Sequence, residues 1–169
     1  EAGMPVEISH FKCSGQQNWG RSKETLDMIE AARKDGLDVT IDQYPYTASS
    51  TSLSTLLPDE VLSDGQDSIN ARLNRPEEKM RAINYMLKKL KRRGLKHFSY
   101  AVVAYYKEDT TRNGKSIEQI NLLTGKKHDA KAEAETIIEM MKLGGAGMVF
   151  HGMSDKDVEY IMTYPFSMF

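Results

Sequence analysis

Two short runs rich in β-branched residues bracket a helix-period segment within the first 46 residues, and this arrangement limits the fold more than any other feature of the chain. Pro5-Val6-Glu7-Ile8-Ser9 alternates apolar and polar residues, the pattern of a strand, and delivers His10 and Lys12 at or just past its end. Gly15 to Gly20 reads as a loop. From Ser22, a candidate N-cap, to Lys34 the apolar positions Leu26, Ile29 and Ala32 recur at three-to-four spacing, and Gly36 supplies the stop. Leu37-Asp38-Val39-Thr40-Ile41 is a second strand, running into Asp42-Gln43-Tyr44-Pro45-Tyr46. Strand, helix and strand in some 40 residues predict a βαβ unit, with parallel strands and a right-handed crossover.

The character changes after Tyr46. Thr47 to Thr55 is rich in Ser and Thr without a clear period, and residues 47–76 read as an excursion from the sheet. Pro76 then opens a strongly helical stretch. Glu77 and Glu78 lie at its start, Met80, Ile83, Leu87 and Leu90 on one stripe, Lys88 to Arg93 near its end, and Gly94 closes it. Phe98 to Tyr106 reads as a strand, and Ser116-Ile117-Glu118-Gln119 as a capping box that opens a helix to Leu123. A further helix is predicted over 130–143, a strand over 148–151, and a helix over 155–164 capped by Ser154 with Asp157. The expectation is an α/β chain with a mostly helical insertion.

Composition narrows the function classes. The 169 residues carry 23 Lys and Arg against 24 Asp and Glu, a net charge of −1, so no global field draws in nucleic acid or an anionic membrane. The basic run from Lys88 to Lys96 alternates with Leu90 and Leu95 and reads as a solvated helix end. Cys13, the single cysteine, leaves no intrachain disulfide and no multi-thiolate zinc site. No apolar run approaches the roughly 20 residues that cross a bilayer, and the opening Glu1-Ala2-Gly3-Met4 lacks the parts of a signal peptide, so a soluble, cytoplasmic protein is expected. The methionines at helical positions read as core fillers.

In parallel α/β sheets functional groups gather at the carboxyl ends of strands, which here carry Ser9-His10-Phe11-Lys12 and Asp42-Gln43-Tyr44-Pro45-Tyr46. From its position alone His10 is either a metal ligand through neutral imidazole or a half-buried histidine hydrogen-bonded to backbone. Tyr44 and Tyr46 are either ligand contacts or packing aromatics at a turn. His97 and His128 read as loop residues, and His151 has no assigned role.

Together these segments resemble a family. Val6-Glu7-Ile8-Ser9-His10-Phe11-Lys12-Cys13, Asn18-Trp19-Gly20-Arg21-Ser22 with Glu24-Thr25-Leu26, and the run from Asp38 through Tyr44-Pro45-Tyr46 to Thr51 are similar to the D-aminoacylases, the N-acyl-D-amino-acid deacylases of the metal-dependent amidohydrolase superfamily. The resemblance resumes at Gly114-Lys115-Ser116-Ile117 and at Phe150-His151-Gly152-Met153-Ser154-Asp155. It implies a segment of a (β/α)8 TIM barrel. Residues 1–50 would form a βαβ segment carrying barrel strands six and seven, 51–142 a mostly helical insertion serving as a lid, and 143–169 a return to the barrel that stops at the edge of strand eight. It also implies His10 as a Zn2+ ligand, and Lys12, Tyr44 and Ser50 as the groups that hold the α-carboxylate of an N-acyl-D-amino acid. The implied reaction is metal-assisted hydrolysis of the amide to a carboxylate and a D-amino acid.

The departures from the family pattern are as informative. Its His-x-His pair, ligating Cys and other ligand His lie on earlier strands, and its catalytic Asp, in a Ser-Asp motif, is expected just after Phe169. No catalytic residue is therefore assigned in this chain, Cys13 reads as a buried structural thiol rather than a ligand, and an internal fragment without activity by itself is the expectation. A barrel of this kind needs about 250 residues. Two further readings stand beside this one: a non-enzymatic α/β binding or interaction module, and an amidohydrolase of another anionic amide.

Overall fold

A computed structural model describes residues 3–169; the opening Glu1-Ala2, read above for the absence of a leader, lies outside the described residues. In chain order the elements are β1 (Val6–Ile8), α1 (Ser22–Lys34), β2 (Val39–Asp42), β3 (Ala48–Ser52), α2 (Asp59–Leu62), α3 (Gly65–Asn74) and α4 (Pro76–Arg92). They continue as β4 (Ala101–Tyr105), α5 (Ile117–Leu123), α6 (Ala130–Lys142), β5 (Gly147–His151), α7 (Asp155–Met162) and β6 (Ser167–Met168). The fold is α/β, in two compact units: Glu1–Ala48 with Gly152–Phe169, and Ser49–His151.

The first unit contains the βαβ unit. β1 pairs in parallel with β2, with Val6 opposite Val39 and Ile8 opposite Ile41, and β6 adds to the other edge of β2, also in parallel. α1 buries Leu26 and Ile29 against Val39 and Ile41, joined by Ile161 and Tyr164 from the C-terminal segment. At the helix end Gly36 takes φ +87, a left-handed turn that a side chain would strain. The helix start differs from expectation: Ser22 is the first helical residue, its side chain makes no cap, and Arg21 stands at the cap position. The reason lies far along the chain. The buried Asp157 carboxylate accepts the amides of Gly20 (2.8 Å) and Ser22 (3.3 Å) and the Ser154 hydroxyl (2.6 Å), doing what a local cap would have done.

The second unit has a three-stranded sheet in the order β3-β5-β4. β5 runs antiparallel to β4, Phe150 opposite Ala101 and Met148 opposite Val103. Residues 143–151, β5 included, lie in this second unit. β3 is a strand that the Ser- and Thr-rich composition concealed, and the expected strand from Phe98 begins as a 3-10 turn, Phe98–Tyr100. The helices follow the sequence closely. The capping box of α5 is complete: Ser116 Oγ accepts the Gln119 amide, and the Gln119 side chain accepts the Ser116 amide. α3, α4, α5 and α6 enclose one continuous core running from Leu53 to Phe150, with Ile83, Met86, Ile117, Ile137 and Phe98 among its fully buried members.

Candidate active site

β1 and β2 run side by side in the same direction, so the residues just past their ends fall together. His10 leaves β1 with φ +55, a left-handed conformation that a non-glycine residue adopts only under constraint. Two side chains supply the constraint. Asp42, at the end of β2, accepts the His10 amide at 2.8 Å through Oδ1, and the Lys12 ammonium donates to the His10 carbonyl at 2.5 Å. The Phe11 amide donates to the Asp42 carbonyl at 2.8 Å, which locks the turn to β2. With both peptide groups of His10 held, the imidazole is directed outward and exposed, and no hydrogen bond among the described residues engages its ring.

Tyr44 completes the group. Its ring lies 5.9 Å from the His10 ring and 5.4 Å from the Lys12 ammonium, and Tyr46 stacks beyond it at 6.4 Å. The His10 amide first, and the Ser9 hydroxyl next, hold the Asp42 carboxyl below its ordinary pKa, so Asp42 is anionic at neutral pH. The first unit thus brings His10, Lys12 and Tyr44 together. Ser50 lies exposed in the middle of β3, within the second unit. Sequence reading missed the clamp by Asp42. The residue stood in a strand-end motif, but its bond to the His10 backbone depends on a left-handed turn that no spacing rule announces.

Cys13 is buried, and burial, ahead of the Asp157 charge, pushes its thiol pKa up; it is an inert packing group. The loop that follows is fastened within the unit: the Gly15 amide (2.7 Å) and Trp19 Nε1 (2.9 Å) both donate to the Gly152 carbonyl. As a metal position the site offers one donor. A tetrahedral ion needs several, and among the described residues the one group of three or more His, Cys and carboxylate donors lies elsewhere in the chain. His10 fits as a single ligand, and these residues alone do not make a metal centre. No helix among the described residues is long and apolar enough to cross a membrane.

No protein-family model matches the chain. Among curated proteins, a D-aminoacylase of Alcaligenes xylosoxydans xylosoxydans is 51% identical over 69 residues, which is 41% of this chain and 13% of that protein. An N-acyl-D-glutamate deacylase of the same organism is 44% identical over 59 residues, 35% of this chain and 12% of that protein. Among solved structures, the N-acyl-D-glutamate deacylase from Bordetella bronchiseptica, complexed with zinc and a phosphonate mimic of the tetrahedral intermediate, matches 98% of this chain and 26% of its own, with a TM-score of 0.61 at 24% identity. A D-aminoacylase structure concerned with its binuclear metal centre matches 98% of this chain and 25% of its own, with a TM-score of 0.59 at 28% identity. The chain thus spans only about an eighth of these curated relatives and about a quarter of these solved structures. By local sequence and by the course of its backbone, the chain resembles the D-aminoacylases and N-acyl-D-amino-acid deacylases of the amidohydrolase superfamily.

Proposed function

We propose that this chain is one segment of an N-acyl-D-amino-acid deacylase, in which β1 and β2 are neighbouring strands of a (β/α)8 barrel and β6 begins the next. Three adjacent parallel strands support that reading. So does the state of β1. All three of its residues are exposed, and Val6, Ile8, Phe11, Met28 and Leu37 line an apolar groove of about 480 Å³ along it. Parallel strands are ordinarily covered on both faces, so a further strand and helix of the same protein fit this flank.

His10 serves as one ligand of a divalent ion, Zn2+ in this reading, with the remaining ligands drawn from other parts of the protein. When bound, the ion supplies Lewis acidity toward the acyl carbonyl and toward water. The residues of this chain position the substrate. Lys12 has three donors and uses one on the His10 carbonyl, which leaves its charge and two N–H groups for the α-carboxylate. Tyr44 presents its phenol beside that ammonium, toward the same carboxylate. A carboxylate anchored at several points and an amide directed at the metal fix three directions around the α-carbon, which is how such a site selects one enantiomer. The proton-transferring Asp lies outside this chain, and the segment by itself is inactive.

The observation that carries the reading is His10, held in a left-handed turn by Asp42 and Lys12 at the end of a parallel strand, in a chain whose relatives are deacylases. The experiment is hydrolysis of N-acetyl-D- and N-acetyl-L-amino acids by the full protein that contains this segment, with His10→Ala and Lys12→Ala variants. The expected results are selective release of D-amino acid, loss of bound zinc and of kcat in His10→Ala, and a raised KM in Lys12→Ala. Unchanged kinetics in both variants contradicts the assignment.

A further inference from the structure

The second unit holds a polar cluster that the deacylase reading does not use. His97 stands just before the turn at Phe98, Glu118 in the first turn of α5, His128 in the loop between α5 and α6, and Glu133 in the first turn of α6. One donor atom from each lies within 4.8 Å of all the others. His97 Nδ1 is 2.6 Å from Glu133 Oε1 and 3.6 Å from Glu118 Oε1, and His128 Nε2 is 2.7 Å from the same Glu118 oxygen. The two imidazoles stack with centroids 4.3 Å apart.

Placement and charge both point to a cation. Glu133 is completely buried, and its second oxygen accepts the Phe98 amide at 2.7 Å, so the carboxylate is fixed with one oxygen turned into the cluster. With neutral imidazoles the four side chains carry two negative charges, one of them without access to solvent. One divalent ion held among these four donors would balance both carboxylates with both rings neutral. Two imidazole nitrogens and two carboxylate oxygens are donors that suit Zn2+ rather than Ca2+ or Mg2+. Four ligands at about 2.0–2.1 Å would stand roughly 3.3 Å apart, within the spread of separations found here. We propose that His97, Glu118, His128 and Glu133 form a structural Zn2+ site that fastens α5, α6 and the turn at Phe98 to one another. Four protein ligands make it a closed site, with no position for a substrate.

The test is a titration of the full 169-residue chain, stripped of metal by a chelator, with Co2+ and then Zn2+. The site predicts one equivalent of Co2+ with the intense visible absorption of four-coordinate geometry, displacement by Zn2+, and a Zn2+-dependent rise in Tm. His128→Ala and Glu118→Gln, both at solvent-accessible side chains, should weaken binding by more than about a hundredfold, beyond the 10- to 100-fold typical of outer-shell changes. His10→Ala should leave it unchanged, which separates this site from the metal ligand proposed above. X-ray absorption of the Zn2+ form, which needs no variant, should show nitrogen and oxygen ligands only, with outer-shell scattering from two imidazoles. A folded chain without the four-coordinate Co2+ spectrum, equal affinity in His128→Ala and Glu118→Gln, or a zinc shell with fewer than two imidazoles overturns the proposal.

Discussion

The two units of this chain are built to different degrees of closure. Among the described residues the second gathers 24 buried apolar side chains in one cluster under its helices and sheet, whereas the first gathers six between α1, β2 and its C-terminal segment and leaves β1 exposed along its length. Most of the motifs that carry the family resemblance lie in the first unit, and the second, with few of them, holds the larger core. A hydrophobic core needs only apolar side chains of suitable volume, which many sequences provide. A site at strand ends needs particular chemistry at particular positions, and it tolerates an open flank where another part of the protein completes the sheet.

This contrast can be broken by mutation. The largest effect is expected at the centre of the second unit, where Ile137→Ala should destabilise the chain by about 2–5 kcal/mol in denaturant unfolding, through a cavity lined by helices that cannot collapse into it. Next is Asp157→Ala in the first unit, expected at about 2–4 kcal/mol, because it strands the amides of Gly20 and Ser22 at the start of α1. The same carboxylate gives a pH dependence. Burial raises its pKa, but the Ser154 and Ser22 hydroxyls and the Gly20 and Ser22 amides outweigh burial and set it below the ordinary value. Its contribution is therefore present above about pH 3.9, the unfolded value, and is lost as pH falls through the lower folded value. An acid titration of stability in which wild type and Asp157→Asn run parallel would contradict this.

A smaller effect, about 1–2 kcal/mol, is expected for Tyr164→Phe, whose phenol donates to Glu30 at 2.7 Å. Burial first, and Glu30 next, push the Tyr164 pKa up to about 12. The stability it adds is present below the unfolded value of about 10 and disappears as pH rises through about 12, which absorbance of tyrosinate during alkaline titration will report. The smallest effect is Ile8→Ser on β1. In this chain alone it should cost less than about 0.5 kcal/mol, and in the full protein, with the flank covered, at least about 1.5 kcal/mol. Equal costs in the two contexts would remove the support that the open edge gives to a partial barrel.

Much of this architecture is legible from residue patterns because the determinants are local. The period of Leu26 and Ile29, Pro76 at a helix start, and the Ser116/Gln119 box each specify a conformation within a few residues, and all three stand in the structure. What escapes is set at a distance or by too few residues. Ser22 resembles a cap, but Asp157, 135 positions along, takes that role. Ala48–Ser52 has no apolar alternation, and its strand state comes from pairing with β5. His10 and Lys12 were readable as a strand-end motif, whereas the φ of +55 that aims His10 is a consequence of Asp42 on another strand. His97 and His128 read as loop residues because their partners, Glu118 and Glu133, come from two different helices.

The group at the ends of β1 and β2 is proposed to hold the carboxylate of an N-acyl-D-amino acid. Steady-state kinetics of Lys12→Ala and Lys12→Arg in the full protein, on paired N-acetyl-D- and N-acetyl-L-substrates, test it most directly. The expected results are activity on the D-substrate, a KM raised by tenfold or more in Lys12→Ala with a smaller change in kcat, and partial recovery of KM in Lys12→Arg, since a charge-assisted contact of this kind is worth about 1.5–3 kcal/mol. A KM indifferent to the loss of the ammonium, or hydrolysis without preference between the enantiomers, would contradict it.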